Sequence, residues 1–153
     1  MKIGDILDKR SIVSELSSQS KEGVLRELVH VLCLVERQVN EDRTLEIVLE
    51  RENLASTGIG DGVAIPHGKS RDVKKILGAF GRSRNGLDFQ SHDQKPTHLF
   101  FLLIAPEDSA GMHLKALAQI FRLLRDQGFR KRLMEAASVD EIYSIFSDGD
   151  ERN

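Results

Sequence analysis

The stretch Thr97-His98-Leu99-Phe100-Phe101-Leu102-Leu103-Ile104 limits the fold most tightly. From Leu99 onward it is apolar without alternation, and Pro106 stops it. A strand with one wet face alternates apolar and polar side chains, because successive residues point to opposite faces. One that is apolar throughout has both faces covered. The run is too short for a membrane span, which needs about 18 apolar residues. It predicts a central strand with helices packed above and below, an α/β sandwich.

The rest of the chain supplies those helices. Ser20 is an N-cap candidate for a helix over about 21–37, with Leu25, Leu28, Leu32 and Val35 at helical spacing and Val24 and Val31 widening the stripe. Asn40 caps a second helix, with Glu41 and Asp42 in its first turn and Leu45, Val48 and Leu49 on its buried face. That helix ends near Glu52 or Asn53, so Arg51 lies in its last turn, where the helix dipole favours a cation. Val63–Ile65 and Lys75–Gly81 read as strands, and Asn85-Gly86 as a turn before a short returning strand, Leu87–Phe89. A helix starting at Ser109–Met112 carries the apolar positions Leu114, Leu117, Ile120, Phe121 and Leu124. A short helix over about 128–137 follows. The capping-box pattern Ser138-Val139-Asp140-Glu141 then opens a last helix bearing Ile142, Ile145 and Phe146. Residues 147–153 read as a polar, frayed tail.

At 153 residues the expectation is a single domain spanning 1–153. A net charge of −2 argues against a nucleic-acid binder that works by bulk electrostatics. Cys33 is the only cysteine, so no intrachain disulfide and no four-cysteine zinc site can form. It sits in the apolar run Val31–Val35 and reads as a small core residue. The N-terminus lacks a signal-peptide apolar region and no segment is long and apolar enough to insert in a membrane, so the expected location is cytoplasmic.

The chemistry concentrates between Arg51 and Lys69. Three alternating glycines, Gly58, Gly60 and Gly62, precede the apolar Val63-Ala64-Ile65 and then Pro66-His67-Gly68. Glycines let backbone amides approach a bulky anion. Pro66 restricts the backbone beside His67, and Gly68 leaves the far side uncrowded, so one imidazole is presented at a rigid, anion-tolerant place. An imidazole is neutral near physiological pH and can be a nucleophile toward phosphoryl groups. Taken alone, a Pro-His-Gly segment is most often a plain surface turn.

The ordered segments Ser56-Thr57-Gly58-Ile59-Gly60 and Ala64-Ile65-Pro66-His67-Gly68, with Arg51-Glu52 just upstream, resemble a family signature. It is that of the type 2 (fructose/mannitol class) enzyme IIA domains of the bacterial phosphoenolpyruvate-dependent sugar phosphotransferase system. The nitrogen-regulatory paralogues share it. The resemblance runs from Ile3-Gly4-Asp5-Ile6-Leu7 to the last helix pattern near Phe146. It implies a mixed central sheet with helices on both faces, and a phosphotransferase component with a phosphohistidine intermediate. It implies His67 as the phosphoacceptor. His113, in a matching His-Leu segment, is implied to lie beside it and hydrogen-bond the phosphate. Arg51 is implied as charge stabiliser and Thr57 as hydrogen-bond donor to a phosphoryl oxygen, with the Gly58 and Gly60 amides as further donors. Arg51 reads equally as a helix-end charge, and Thr57 as a residue bonding its own loop. No cofactor and no metal are implied. Asp61 sits where several family members carry a neutral polar residue.

Partners follow from the resemblance too. An HPr-type phosphocarrier is the donor, and regulatory target proteins or a separate IIB protein are the acceptors. With no IIB or IIC domain in the chain, the resemblance favours a stand-alone nitrogen-regulatory protein. The alternatives are a stand-alone sugar-specific IIA subunit and a binding module with no phosphate chemistry. His30 reads as a helix surface residue, His92 as part of a polar segment and His98 as a sheet residue. The spacing of His67, His98 and His113 matches no zinc motif, and the glycines match neither a P-loop nor a dinucleotide fingerprint.

Overall fold

The computed structural model describes residues 2–151. A 3-10 turn, Ile3–Asp5, precedes strand β1 (Leu7–Val13), helix α1 (Lys21–Val35) and helix α2 (Glu41–Leu54). Strands β2 (Gly58–Gly60), β3 (Val63–Ala64), β4 (His67–Ser70), β5 (Leu77–Leu87) and β6 (Thr97–Pro106) come next, then helices α3 (Ala110–Leu124), α4 (Gln127–Glu135) and α5 (Val139–Glu151). The expected caps form: Ser20 accepts the Gly23 amide, and Asn40 accepts that of Arg43. Ser138 accepts the Glu141 amide while the Glu141 carboxylate accepts that of Ala137. Asp126, which the sequence pattern leaves unassigned, caps α4 through the Phe129 amide.

Strand β6 is central, as its composition requires. It pairs antiparallel with β5 on one side and parallel with β3 and β4 on the other. The sheet is mixed and six-stranded, in the order β1-β5-β6-β3-β2, with β4 also beside β6. Leu99, Phe101, Leu103 and Ala105 enter the core under α3, α4 and α5. Phe100, Leu102 and Ile104 enter the core under α1 and α2. Each buried side chain of this size contributes about 1.5–3 kcal/mol, so both helical layers are anchored on this one strand. Among the described residues no helix is long and apolar enough to cross a membrane.

Three elements depart from expectation. Strand β1, to which the sequence pattern assigns no element, has no clean alternation because it is an edge strand with a register shift between Leu7 and Ile12. Asn85-Gly86 does not reverse the chain; β5 runs through it, and Leu87 pairs with Thr97 on the same partner as Leu77. Gly86 has φ +75°, and a Cβ there would come within 2.6 Å of the His98 ring, so it marks an irregularity where the strand passes under an imidazole. The chain reverses between Leu87 and Thr97 instead, since β5 and β6 are antiparallel; a separate two-residue hairpin at Asp61-Gly62, both at positive φ, joins β2 to β3. Finally, α5 continues through Glu151, where a frayed tail was expected. Asp150 accepts the amides of Ile3 at 2.7 Å and Gly4 at 3.1 Å, which ties this end to the chain's start. Residues 152–153 of that expected tail lie outside the described residues.

Candidate functional site

Strands β3 and β4 lie end to end along β6 in one register, Val63 opposite Leu99 and His67 opposite Leu103. Ile65-Pro66 interrupts them, since proline has no amide to donate. The Pro66 carbonyl still accepts the Leu103 amide at 3.0 Å. His67 therefore opens a short strand rather than riding on an isolated turn, a correction to the sequence expectation. Alternation then decides what each residue faces. His67 points to the α3 side, while Gly68 points to α2, where a Cβ would stand 2.6 Å from Ile47 Cγ2. Gly68 is needed for the approach of α2, not for space around the imidazole. We expect Gly68→Ala to destabilise the fold by about 1–3 kcal/mol in a urea titration; an unchanged midpoint would show that α2 yields freely.

The Nδ1 of His67 lies 2.9 Å from the Ile65 carbonyl. A carbonyl only accepts, so this bond assigns the proton to Nδ1 and leaves the Nε2 lone pair free. Burial pushes the His67 pKa below its ordinary value, and Arg51 pushes the same way; the Ile65 bond and the Glu52 carboxylate oppose them. The ring is thus neutral at physiological pH.

His113, in the first turn of α3, is the nearest aromatic neighbour of that ring: the centroids are 5.3 Å apart and the planes tilted by 54°. It is buried, and its Nδ1 has no hydrogen-bond partner among the described residues. A buried polar atom without a partner costs about 1–3 kcal/mol. Ser109 does not cap α3; its hydroxyl donates to the Pro106 carbonyl at 2.6 Å. The first amides of the helix have no side-chain cap, an arrangement that attracts anions.

Burial, and then His67 and Lys69, push the His113 pKa down to about 4. The unfolded chain binds this proton near pH 6.5 and the folded protein only near pH 4. Stability is therefore complete above pH 6.5 and falls as the pH drops from there to about 4, by roughly 3 kcal/mol from this group. His67 adds to the same trend. His113→Asn should flatten that stretch of the stability–pH curve, and an unaltered slope would count against a neutral buried His113.

A cleft of about 520 Å³ opens in front of His67. Arg51, Thr57 and His92 line it together with the apolar Ile59, Ile65, Leu117 and Phe121. One Arg51 guanidinium nitrogen donates to the Ala55 carbonyl at 2.9 Å, closing α2, and the side chain borders the cleft. Thr57 also borders the cleft, but its amide and hydroxyl both donate to the buried Glu52 carboxylate. The Gly58 amide goes to the Ser56 hydroxyl at 3.1 Å and is not free for an anion. Gly60 is absent from the cleft wall and packs toward Asp93. The exposed Asp61 donates its amide to the Asp93 carboxylate.

His92 is the residue that sequence reasoning missed. Its Nε2 lies 3.1 Å from the Ser56 carbonyl, and its amide donates to the Gly58 carbonyl at 3.0 Å. No spacing signals this, because the loop is brought to the cleft by long-range contacts of Phe89, Ser91, His92 and Asp93 with the segment from Ser56 to Asp61. His30 pairs with Glu41, and His98 bonds the Ser83 carbonyl. Cys33 is a core residue, its thiol pushed up to about 11 by burial. Among the described residues no cluster of three or more His, Cys, Asp or Glu side chains could hold a metal ion.

The helix facing the cleft has an unusual surface. Of the apolar positions of α3, Ile120 and Leu124 are buried, but Leu114 is 67% exposed and Phe121 43% exposed. Met112 and Ile59 add to this apolar rim.

The sequence model of the family described as "Phosphoenolpyruvate-dependent sugar phosphotransferase system, EIIA 2" matches residues 5–149. A nitrogen regulatory protein of Bradyrhizobium diazoefficiens is 43% identical over 147 residues, covering 96% of this chain and 95% of that one. A fructose-specific EIIABC component of Bacillus subtilis is 41% identical over 150 residues, which make up 98% of this chain and 24% of that longer protein. The crystal structure of nitrogen regulatory protein IIA-Ntr from Neisseria meningitidis superposes with a TM-score of 0.88 at 36% identity, covering 94% of this chain and 98% of that one. With the sheet topology described above, these matches place the chain in the type 2 EIIA family of the phosphoenolpyruvate-dependent sugar phosphotransferase system.

Proposed function

We propose that the protein is a cytoplasmic phosphocarrier that accepts a phosphoryl group on His67 from an HPr-type phosphohistidine protein and signals as a nitrogen-regulatory IIA. The observation that carries this is the His67 Nδ1 bond to the Ile65 carbonyl, which leaves a neutral imidazole with a bare Nε2. In the transfer, the Nε2 lone pair attacks the donor's phosphorus and a new P–N bond forms. The donor's P–N bond breaks, and its electron pair returns to the donor imidazole. The proton stays on Nδ1 throughout, donated to the Ile65 carbonyl, which supports the positive charge that builds on the His67 ring.

Such a transfer depends mainly on position and on charge around the phosphoryl oxygens. Arg51 supplies a fixed cation at the cleft wall. The unpartnered His113 Nδ1 supplies a donor that a phosphoryl oxygen satisfies. Thr57, bonded to Glu52, contributes by shaping the wall, and its hydroxyl reaches phosphate only if it leaves that carboxylate. The apolar rim of Leu114, Phe121 and Met112 suits a partner protein that closes over the cleft and excludes water.

Phosphorylation changes the charge at His67 by about −2, enough to switch a binding face. The regulatory role rests on the nitrogen regulatory relatives. The fructose-specific relative supports the second reading, a sugar-specific IIA that donates to a separate IIB. Incubation with labelled phosphoenolpyruvate, enzyme I and an HPr-type donor should put one acid-labile, base-stable label on each chain. Rapid passage of that label to a single sugar-specific IIB would decide for the second reading. No label from several donors would leave a binding module.

A further inference from the structure

Glu52 is 6% exposed at the end of α2. A carboxylate in such a place needs donors and a counter-charge. It has both. The Thr57 amide donates to its two oxygens at 3.0 and 3.2 Å, and the Thr57 hydroxyl donates as well. The counter-charge is the Lys21 ammonium at 2.8 Å, from the first turn of α1. Lys21 is itself held, 3.2 Å from Gln90 Oε1 and 4.7 Å above the Phe89 ring. The start of α1, the end of α2 and the loop after β5 thus converge behind Thr57. Thr57 is part of the cleft wall in front of His67; Lys21 and Glu52 are not.

We infer that Lys21 and Glu52 are positioning residues for the chemistry at His67, holding Thr57 in the cleft wall and cancelling the charge behind the phosphoacceptor. The inference rests on His67 as the acceptor. The incoming phosphoryl group is strongly anionic, and transfer asks for positive, not negative, surroundings. Glu52 is close enough to act electrostatically on His67. Its charge is therefore tolerable only while Lys21 opposes it. Arg51 and His113 also face His67, and neither belongs to this pair.

The test uses Lys21→Met, Glu52→Gln and the double variant, with two readouts. The first needs no phosphate: the titration midpoint of His67 and the Thr57 amide shift, followed by ¹⁵N NMR. Lys21→Met should raise the midpoint by about half a unit or more, since an uncompensated carboxylate favours the imidazolium. Glu52→Gln should lower it, and the double variant should resemble Glu52→Gln. The second is the rate of labelling per folded molecule from an HPr-type donor. Lys21→Met should slow it about tenfold, and adding Glu52→Gln should restore most of the loss. A salt bridge that serves only stability predicts lower melting temperatures with an unmoved His67 midpoint, unmoved Thr57 amide and equal rates; that pattern would overturn the inference. If wild type takes no label, the phosphoacceptor reading fails, and the NMR readout still decides whether the pair governs His67.

Discussion

Replacing His67 with alanine abolishes phosphate uptake from a labelled HPr-type donor and leaves the protein folded. His67 is the cleft residue whose Nε2 is neutral and unbonded, because its Nδ1 proton goes to the Ile65 carbonyl. Its neighbours cannot stand in for it. His113 is buried, and His92 already has its Nε2 on the Ser56 carbonyl. Because the His67 ring is only partly buried and makes one side-chain hydrogen bond, its removal should cost no more than about 1–2 kcal/mol of stability. His113→Ala should differ in kind. The label still forms on His67 but about a hundredfold more slowly, the usual effect of losing one donor to a developing charge. Acid-lability of the label and its rate of appearance in the two variants check both statements. Residual labelling of His67→Ala at the wild-type rate would move the acceptor elsewhere.

Replacing Arg82 with methionine destabilises the fold by about 3–4 kcal/mol. Arg82 is 2% exposed and lies on β5. Its Nε donates to the Ser14 carbonyl at 2.9 Å, and one terminal nitrogen donates to the carbonyls of Leu133 at 2.8 Å and Ala136 at 2.7 Å. Leu133 and Ala136 mark the end of α4, where helix carbonyls have no amide partners and the dipole favours a cation. The guanidinium is thus a clip joining the exit of β1 to the end of α4. Burial pushes its pKa below the ordinary value, which shows the desolvation that these carbonyls offset. Methionine fills the volume but leaves the carbonyls buried without donors. Lysine should not rescue, because an ammonium cannot reproduce the fork of donors. Chemical denaturation of the two variants checks this; a loss under about 1 kcal/mol would mean water replaces the guanidinium.

What could be read from the sequence was local. The apolar β6 announced a doubly covered strand because both of its faces are core. Ser20 and Asn40 announced helix starts because capping takes place within three residues. His67 and His113 could be singled out by the segments around them, and their rings do meet. What could not be read was set by segments far apart in the chain. Strand β1 hides behind Asp8, Lys9 and Arg10 because an edge strand needs no regular alternation. Gly68 reads as a spacer for His67 until Ile47 of α2 is seen against it. Thr57 reads in sequence both as a phosphate donor and as a residue bonding its own loop, and only the fold shows its hydroxyl donating to Glu52. His92 carries no signal, since its loop is brought to the cleft by the β2–β3 hairpin. The exposure of Leu114 and Phe121 is likewise invisible to a helical pattern, which counts apolar residues and not what covers them.

The bond between His67 Nδ1 and the Ile65 carbonyl makes a prediction about a single atom. Long-range ¹H–¹⁵N correlation spectra of the protein, after phosphorylation by phosphoenolpyruvate, enzyme I and an HPr-type donor, identify which imidazole nitrogen carries phosphorus. We expect it on Nε2 of His67, with Nδ1 still protonated. Phosphorus on Nδ1, on another histidine, or nowhere in the protein would contradict a preoriented His67 as the acceptor.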